Sequence, residues 1–478
     1  MYATPGVSSQ PPADKRDIPL LTLKPQQITG LLDHLRSFWE RFARFFQRRE
    51  QREWGFKYLQ GRLLDGGKHY TQPLARRLGE KNVRAMQNFV GASPWDDQAV
   101  QEEHQQTVQE TLGEPEGLVI MDGTGFPRKG SESAGVARQY CNETGKVDNC
   151  QVGLFLTYAS TRGYALLDRR LYLPQEWFSP EYAARRERCG IPEDLPFRTH
   201  QGLAWEMLEG VYRRGVVTFR WVLGDEEFGC DTGLLDQIAG LGKWYFMEVP
   251  ADTQVWLERP QTEVPAWQGR GRKPCRERLA AEAPLPQTVA EVAAGLPSQT
   301  WQCYTLHEGS KGPLVADVAC VRVVAVRDGL PGPDVWLVIR QNVLTGEMKY
   351  FLSNAPQDTP AAQLAGLSAA RWPVEQGIED CKDELKMNQY AMRSWRGWHH
   401  HMTLVMIAHL FLVTTQQALK EDAPALTVSQ ARLLLQAVLP KPVFDAEAAL
   451  QTLRQIQRAN HAAYLSHRRR TLQKLDAT

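Results

Sequence analysis

Apolar residues along this chain follow two rhythms. From Ile28 they step by three or four: Leu31, Leu35, Phe38, Phe42 and Phe45/Phe46, the spacing of one buried helix face. Two short helices follow, one over Pro73–Gly79 with a glycine stop and one over Asn82–Phe89 across a tight turn. Residues 93–116 read as a polar, largely helical connection. The rhythm then changes. Leu118-Val119-Ile120 is a continuous aliphatic run leading into Met121-Asp122-Gly123-Thr124-Gly125-Phe126, which predicts a buried strand ending in a turn. A small hairpin is expected around Arg138–Lys146, then strands over Cys150–Tyr158 and Tyr164–Leu173 joined at Thr161-Arg162-Gly163. Leu203, Met207, Leu208 and Val211 mark an amphipathic helix from about Gln201 to Arg214. A fourth strand ends at Asp225, a helix runs through Leu234–Leu241, and Trp244–Val249 makes a fifth strand.

After residue 250 the pattern is interrupted. A basic, glycine-rich loop over Gln268–Pro274 precedes strand-like runs at Ala316–Arg327, Asp334–Arg340 and Met348–Leu352. Helical spacing then returns over Ala361–Ala370. It continues from Arg371 to about Met387, over His399–Ala418 and over Val428–Val438. Three strands, helix, strand, helix, strand is the order of the ribonuclease-H-like fold. The expected fold is therefore α/β: a mixed five-stranded sheet with a β-rich insertion, a helical N-terminal domain and a helical C-terminal region. The expected divisions are a disordered tail over 1–25, an N-terminal domain over 26–112, a core in two parts over 113–250 and 356–395, an insertion subdomain over 251–355, and a C-terminal region over 396–478. In that fold the first and fourth strands are neighbours, which would bring Asp122 and Asp225 together.

Composition narrows the function classes. The 478 residues allow two or three domains. A net charge of +1 creates no global basic field, so any nucleic-acid surface must come from local segregation of charge. No apolar run reaches membrane-spanning length, and the proline-rich start lacks a signal pattern, so a cytoplasmic protein is expected. The 8 cysteines are scattered, with no CxxC and no zinc spacing. His399, His400 and His401 are consecutive and cannot share one helix face, which favours core or flanking roles over metal binding.

Three carboxylates attract attention. Asp122 and Asp225 each close an apolar strand, where a carboxylate is costly unless it is paired, hydrogen-bonded or bound to metal. The plain alternative is a turn aspartate that caps the next element. Glu375 lies near the start of its helix, where the helix dipole already favours an anion, so helix chemistry alone does not make it a ligand. Glu379, one turn on, is its rival, and a helper role for Glu226 or Glu227 is conceivable from adjacency alone. A few carboxylates suffice to hold Mg²⁺, and two such ions can clamp the attacking and leaving oxygens of a phosphodiester. Arg371 and Lys382 fall on nearly the same helix face as Glu375, in reach of a nucleic-acid backbone. As bare spacing they read equally as exposed helix cations. Arg76, Arg77, Arg84 and Gln87 fit a helix-turn-helix reader, against a plain bundle with a solvated basic face. Arg270, Arg272 and Lys273 suit phosphate contact, against a solvated loop. Paired carboxylates also serve glycosidases, but the arginine and lysine framing favours phosphate.

The motifs Val119–Phe126, Gly135–Tyr140, Asn149–Leu156, Leu171–Pro174, Gly224–Gly229, Arg371–Glu375 and Trp395–Trp398 together resemble the DDE transposases of the IS701 group, related to the IS4 type. The resemblance spans roughly residues 115–415. It implies a metal-binding catalytic triad of Asp122, Asp225 and Glu375 holding two Mg²⁺ ions, with Mn²⁺ able to substitute. It sets Arg371 four residues before the third acid and Lys382 seven after it, as the IS4-type signature wants; the signature tyrosine falls on Ser368, a departure. It further implies an aromatic residue for a flipped base, here Tyr350 or Trp336. The implied activity is cut-and-paste transposition in a bacterial cytoplasm, at the nucleoid. A homodimer binds double-stranded DNA at terminal inverted repeats, cleaves it and joins 3′-hydroxyl ends to target DNA. A nuclease without strand transfer and a transposase-derived DNA-binding regulator are the competing expectations.

Overall fold

The structure is a computed structural model and describes residues 20–80, 82–267, 272, 275–309, 312–440 and 446–475. Six helices open it: α1 (Pro25–Thr29), α2 (Leu31–Ala43), α3 (Arg49–Leu63), α4 (Thr71–Arg77), α5 (Val83–Gly91) and α6 (Asp97–Leu112). The helical spacing from Leu31 is realised in α2, which buries Leu31, Leu35, Phe38, Trp39 and Phe42. Of the tail expected over residues 1–25, residues 1–19 lie outside the described residues. Thr22 donates its backbone N–H to the Asp422 carbonyl at 2.8 Å, and Pro25 opens α1, where its missing N–H is no loss. The arginine-rich face is largely neutralised: Arg41 pairs with Glu103 and Glu110, Arg44 with Glu103, Arg49 with Glu53 and Lys57 with Glu80. Arg62 is wholly buried and donates to the Lys386 carbonyl at 3.1 Å.

The first strands are β1 (Leu118–Pro127), β2 (Ala137–Cys141), β3 (Lys146–Ser160) and β4 (Gly163–Leu171). Helices α7 (Ala183–Cys189) and α8 (His200–Arg214) lead to β5 (Trp221–Gly224), and α9 (Glu226–Gly229) and α10 (Thr232–Gly240) lead to β6 (Trp244–Val249). β1 runs antiparallel to β3 and parallel to β5, with Ile120 opposite Leu223, and β5 runs parallel to β6. The strand that carries Asp122 and the strand that leads into Asp225 are therefore neighbours.

The sheet is wider than the five strands expected. Beyond β6 come β7 (Gln254–Trp256), the isolated pair β8 (Thr262–Glu263) and β9 (Arg278–Leu279), and β10 (Gln287–Thr288). Helix α11 (Val289–Gly295) then precedes β11 (Trp301–Gly309), β12 (Gly312–Arg327), β13 (Leu330–Asn342) and β14 (Met348–Ser353). β14 pairs antiparallel with β6, from Tyr350 opposite Val249 to Ser353 opposite Phe246. One 12-stranded sheet results, in the order β10-β7-β12-β13-β14-β6-β5-β1-β3-β2, with β4 on β3 and β11 on β12. The inserted residues thus extend the core sheet. An unpaired β6 edge would expose a row of N–H and C=O groups, and β14 satisfies them.

Among the described residues the sheet is followed by α12 (Ala361–Leu367), α13 (Trp372–Asp383), α14 (Trp395–Ala418), α15 (Val428–Leu435) and α16 (Ala446–Leu475). α13 packs on β1, β3 and β4. α14 is buried on nearly every side and ties the N-terminal helices to the sheet, for instance through Phe38 against Phe411 at 5.3 Å. Its three consecutive histidines are core residues. The ring nitrogens of His400 stand 3.0 Å and 3.1 Å from the Val90 and Trp95 carbonyl oxygens, and Nε2 of His401 stands 2.8 Å from the Met387 carbonyl oxygen. No helix among the described residues is long and apolar enough to cross a membrane.

Candidate active site

Asp122 does not end its strand. β1 continues to Pro127 because β3 stays in register with it, Asp122 opposite Phe155 and Pro127 opposite Cys150. The expected turn at Asp122-Gly123 is therefore extended strand. The half-buried carboxylate accepts the Gly123 N–H at 2.7 Å. Asp225 follows β5 and does cap a helix: its Oδ1 accepts the Glu227 N–H at 3.0 Å at the start of α9. Its second oxygen remains for other work. The turn is held close to the sheet. A Cβ on Gly229 would stand 2.0 Å from the Glu248 carbonyl oxygen, so only glycine fits there. Glu375 lies in the first turn of α13, exposed to solvent.

Arg371 gathers all three acids. Its Nη2 donates to Glu375 Oε1 at 2.7 Å, and its Nη1 stands 3.7 Å from Asp122 Oδ2 and 3.9 Å from Asp225 Oδ2. Residues far apart in sequence thus lie within one guanidinium's reach of each other. Burial pushes the Asp122 carboxyl up to about 7, helped by the nearby Asp225 and Glu375 charges and opposed by Arg371. Burial also raises Asp225 above the usual carboxylate range. Burial alone would lower Arg371, but Asp122, Glu375, Asp225 and Glu248 outweigh it and hold the guanidinium above its ordinary value.

Lys382 reaches the same strand from α13. Its Nζ donates to Thr124 Oγ1 at 2.8 Å and pairs with Glu143. Thr124 and Asp122 are two apart on β1 and so share a face. Glu379 is exposed, while its neighbour Asp380 turns inward to accept the Tyr164 hydroxyl at 2.7 Å beside His409. Glu226 is exposed, and Glu227 is paired with His200. Ser368, at the position of the signature tyrosine, is buried and donates to the Ala365 carbonyl at 2.7 Å, so no phenol projects from there.

Sequence reasoning missed Glu248. It is buried on β6, paired with Lys349 at 2.8 Å, and close enough to act on Arg371. The available signal was a lone acid in the otherwise apolar run Trp244–Val249. The two aromatic candidates differ in exposure. Tyr350 is 9% exposed within β14 and belongs to the core, and Trp336 on β13 donates Nε1 to the Pro356 carbonyl at 3.0 Å beneath Arg322. The Tyr350 ring is held within the core, whereas the Trp336 ring is half-buried with Arg322 over one face.

Of the proposed N-terminal contacts, Arg84 and Gln87 are exposed on α5. Arg76 is half-buried, and Arg77 is tied to the Asp65 carbonyl. Arg272 is exposed; Arg270 and Lys273 lie outside the described residues.

Three hard oxygen donors, two of them destabilised as anions, are a donor set suited to a divalent cation. Among the described residues, however, no three Asp, Glu, His or Cys side chains are drawn close enough to hold an ion as they stand. The carboxylates surround a guanidinium instead.

The mixed sheet thus brings an aspartate on β1 and one just past the end of β5 beside a helix-borne glutamate. Residues 41–313 match the family described as DDE superfamily endonuclease, and the chain belongs to that family. The match includes Asp122 and Asp225 and ends before Glu375. A stretch of 95 residues is 33% identical to a protein of Microchaete diplosiphon described as a probable transposase for insertion sequence element IS701. That stretch is 20% of this chain and 25% of the relative, so the chain matches about a quarter of the relative's length.

Proposed function

We propose that the protein is a transposase of the IS701 kind, with a ribonuclease-H-like core, that moves an insertion sequence by cut-and-paste. The observation that carries the reading is the convergence of Asp122, Asp225 and Glu375 around Arg371. Family membership and the IS701 relative support it. In this reading the three acids hold divalent metal, two Mg²⁺ ions with Mn²⁺ as a substitute. The metal, when bound, activates the attacking oxygen and stabilises the leaving one. The chain's own groups do the rest. The acids set the donor geometry, and Arg371 and Lys382 bind backbone phosphates beside the scissile bond by charge-assisted hydrogen bonds. Arg84 and Gln87, with Arg76, Arg77 and the basic loop bearing Arg270, Arg272 and Lys273, contact the terminal inverted repeats. Two ends must be joined, which calls for a homodimer on double-stranded DNA, acting at the bacterial nucleoid.

The test is a strand-transfer assay with the full chain, Mg²⁺ and precleaved terminal-repeat duplexes. Joined product in wild type and none in Asp122→Ala is expected. Metal-dependent nicking without joining would instead identify a nuclease. DNA binding with no cleavage under any divalent metal would identify a regulator.

A further inference from the structure

The acids are arranged for a cation that the chain supplies itself. Arg371 Nη2 makes a true hydrogen bond to Glu375 at 2.7 Å, while Nη1 stands 3.7 Å and 3.9 Å from the two aspartates, beyond hydrogen-bond length. The attraction to the aspartates is therefore Coulombic and readily exchanged. Without a cation, three neighbouring carboxylates would repel one another. A Mg²⁺ ion needs its oxygens at about 2.0–2.1 Å, and carboxylates spaced around a guanidinium cannot close to that distance while it remains.

We propose that Arg371 is a built-in placeholder for divalent metal, and that metal and phosphodiester bind cooperatively because one guanidinium must leave the acids to meet the phosphate. The inference rests on the reading of Asp122, Asp225 and Glu375 as the metal-binding acids. Arg371 carries one positive charge, donates only, and forms bidentate pairs with phosphate as readily as with carboxylate. Metal entry replaces that charge with a doubly charged ion and frees the guanidinium. A phosphodiester that captures it removes the competitor from the acids. By linkage each ligand then tightens the other by the same factor. Glu248, the fourth acid acting on Arg371, is held by Lys349, so it does not compete strongly for the displaced side chain.

The experiment measures Mn²⁺ affinity of the full chain without DNA, by electron paramagnetic resonance of free Mn²⁺. Arg371→Gln is expected to bind Mn²⁺ about tenfold tighter than wild type, within the roughly 5–150-fold range of such couplings. Arg371→Lys, which keeps the charge but loses the fork, is expected to fall between them. Dimethyl phosphate, a probe with no strand to cleave, should tighten Mn²⁺ binding to wild type and leave Arg371→Gln unchanged. Equal or weaker Mn²⁺ binding by Arg371→Gln overturns the placeholder, and no effect of dimethyl phosphate on wild type overturns the coupling. Should Arg371→Gln fail to fold by circular dichroism, Arg371→Lys decides: affinity no tighter than wild type overturns the proposal. Asp122→Asn separates the two readings. If it leaves wild-type Mn²⁺ affinity intact, the metal-binding assignment of the acids fails, whatever Arg371 does.

Discussion

Asp225 has two oxygens with two duties. Oδ1 caps α9 and Oδ2 faces Arg371. Alanine therefore removes both functions, and asparagine only one, because asparagine caps as well as aspartate. Asp225→Asn should melt close to wild type yet lose metal-dependent nicking, by more than the roughly 10–100-fold typical of changes around a metal's ligands. Asp225→Ala should lose the same activity and also about 1 kcal/mol of stability. A thermal melt beside a nicking assay checks both, and an active Asp225→Asn would reduce this residue to a structural cap. The same pairing of assays separates Glu375 from Glu379. Glu375→Gln should inactivate, whereas Glu379→Gln, altering an exposed side chain on another part of α13, should retain activity. Asp122 and Asp225 were legible in the sequence because each closes an apolar run and is followed by a glycine-containing turn or strand, and Glu375 was legible from the motif around it. Glu248 also interrupts an apolar run, but nothing in the sequence says which neighbour it faces.

The turn after β5 and the seat of α13 set where the acids stand. Gly229 lets α9 lie against β6. Gly229→Ala, whose Cβ would meet the Glu248 carbonyl at 2.0 Å, should cost about 1–3 kcal/mol by overpacking and displace Asp225. A denaturation midpoint equal to wild type would show that the turn can relax. Beneath α13, Tyr164 donates to Asp380 at 2.7 Å. Tyr164→Phe leaves a buried carboxylate oxygen short of a donor and should destabilise by about 1–3 kcal/mol, read from urea unfolding. Helices such as α2, α8 and α14 were readable from periodicity, which is a property of neighbours three and four apart. The length of β1 was not. Asp-Gly-Thr-Gly looks like a turn locally, and it stays extended only because β3 offers an unbroken partner as far as Cys150.

Across the whole molecule, the buried histidines make stability depend on acidity. Burial holds His69, His104 and His400 down to about 4 and His399 to about 3, each below an ordinary value of 6.5. The unfolded chain takes up these protons first. Their contribution is complete above about pH 6.5, declines as pH falls towards about 4, and levels off below. The three held to about 4 are each worth on the order of 3 kcal/mol across that window, from about 1.4 kcal/mol per pKa unit. Urea midpoints should fall between pH 7.5 and pH 5 more steeply in wild type than in His400→Gln. Parallel slopes would mean that His400 is not held neutral in the fold. The arginines of the N-terminal helices belong to this scale too. Glu103 and Glu110, distant in sequence, neutralise Arg41 and Arg44.

Local patterning was enough to establish most helices, the strand order from Leu118 to Val249, the candidate acids and the family likeness, because each depends on spacing within a short window or on motifs in one stretch. It could not establish the 12-stranded width of the sheet, the burial of Tyr350, or the guanidinium among the acids. Those follow from which edges pair and which side chains meet after the chain has closed on itself. A one-dimensional order states that a strand exists, but the identity of its neighbour is settled by competition for hydrogen bonds and buried area over the entire fold.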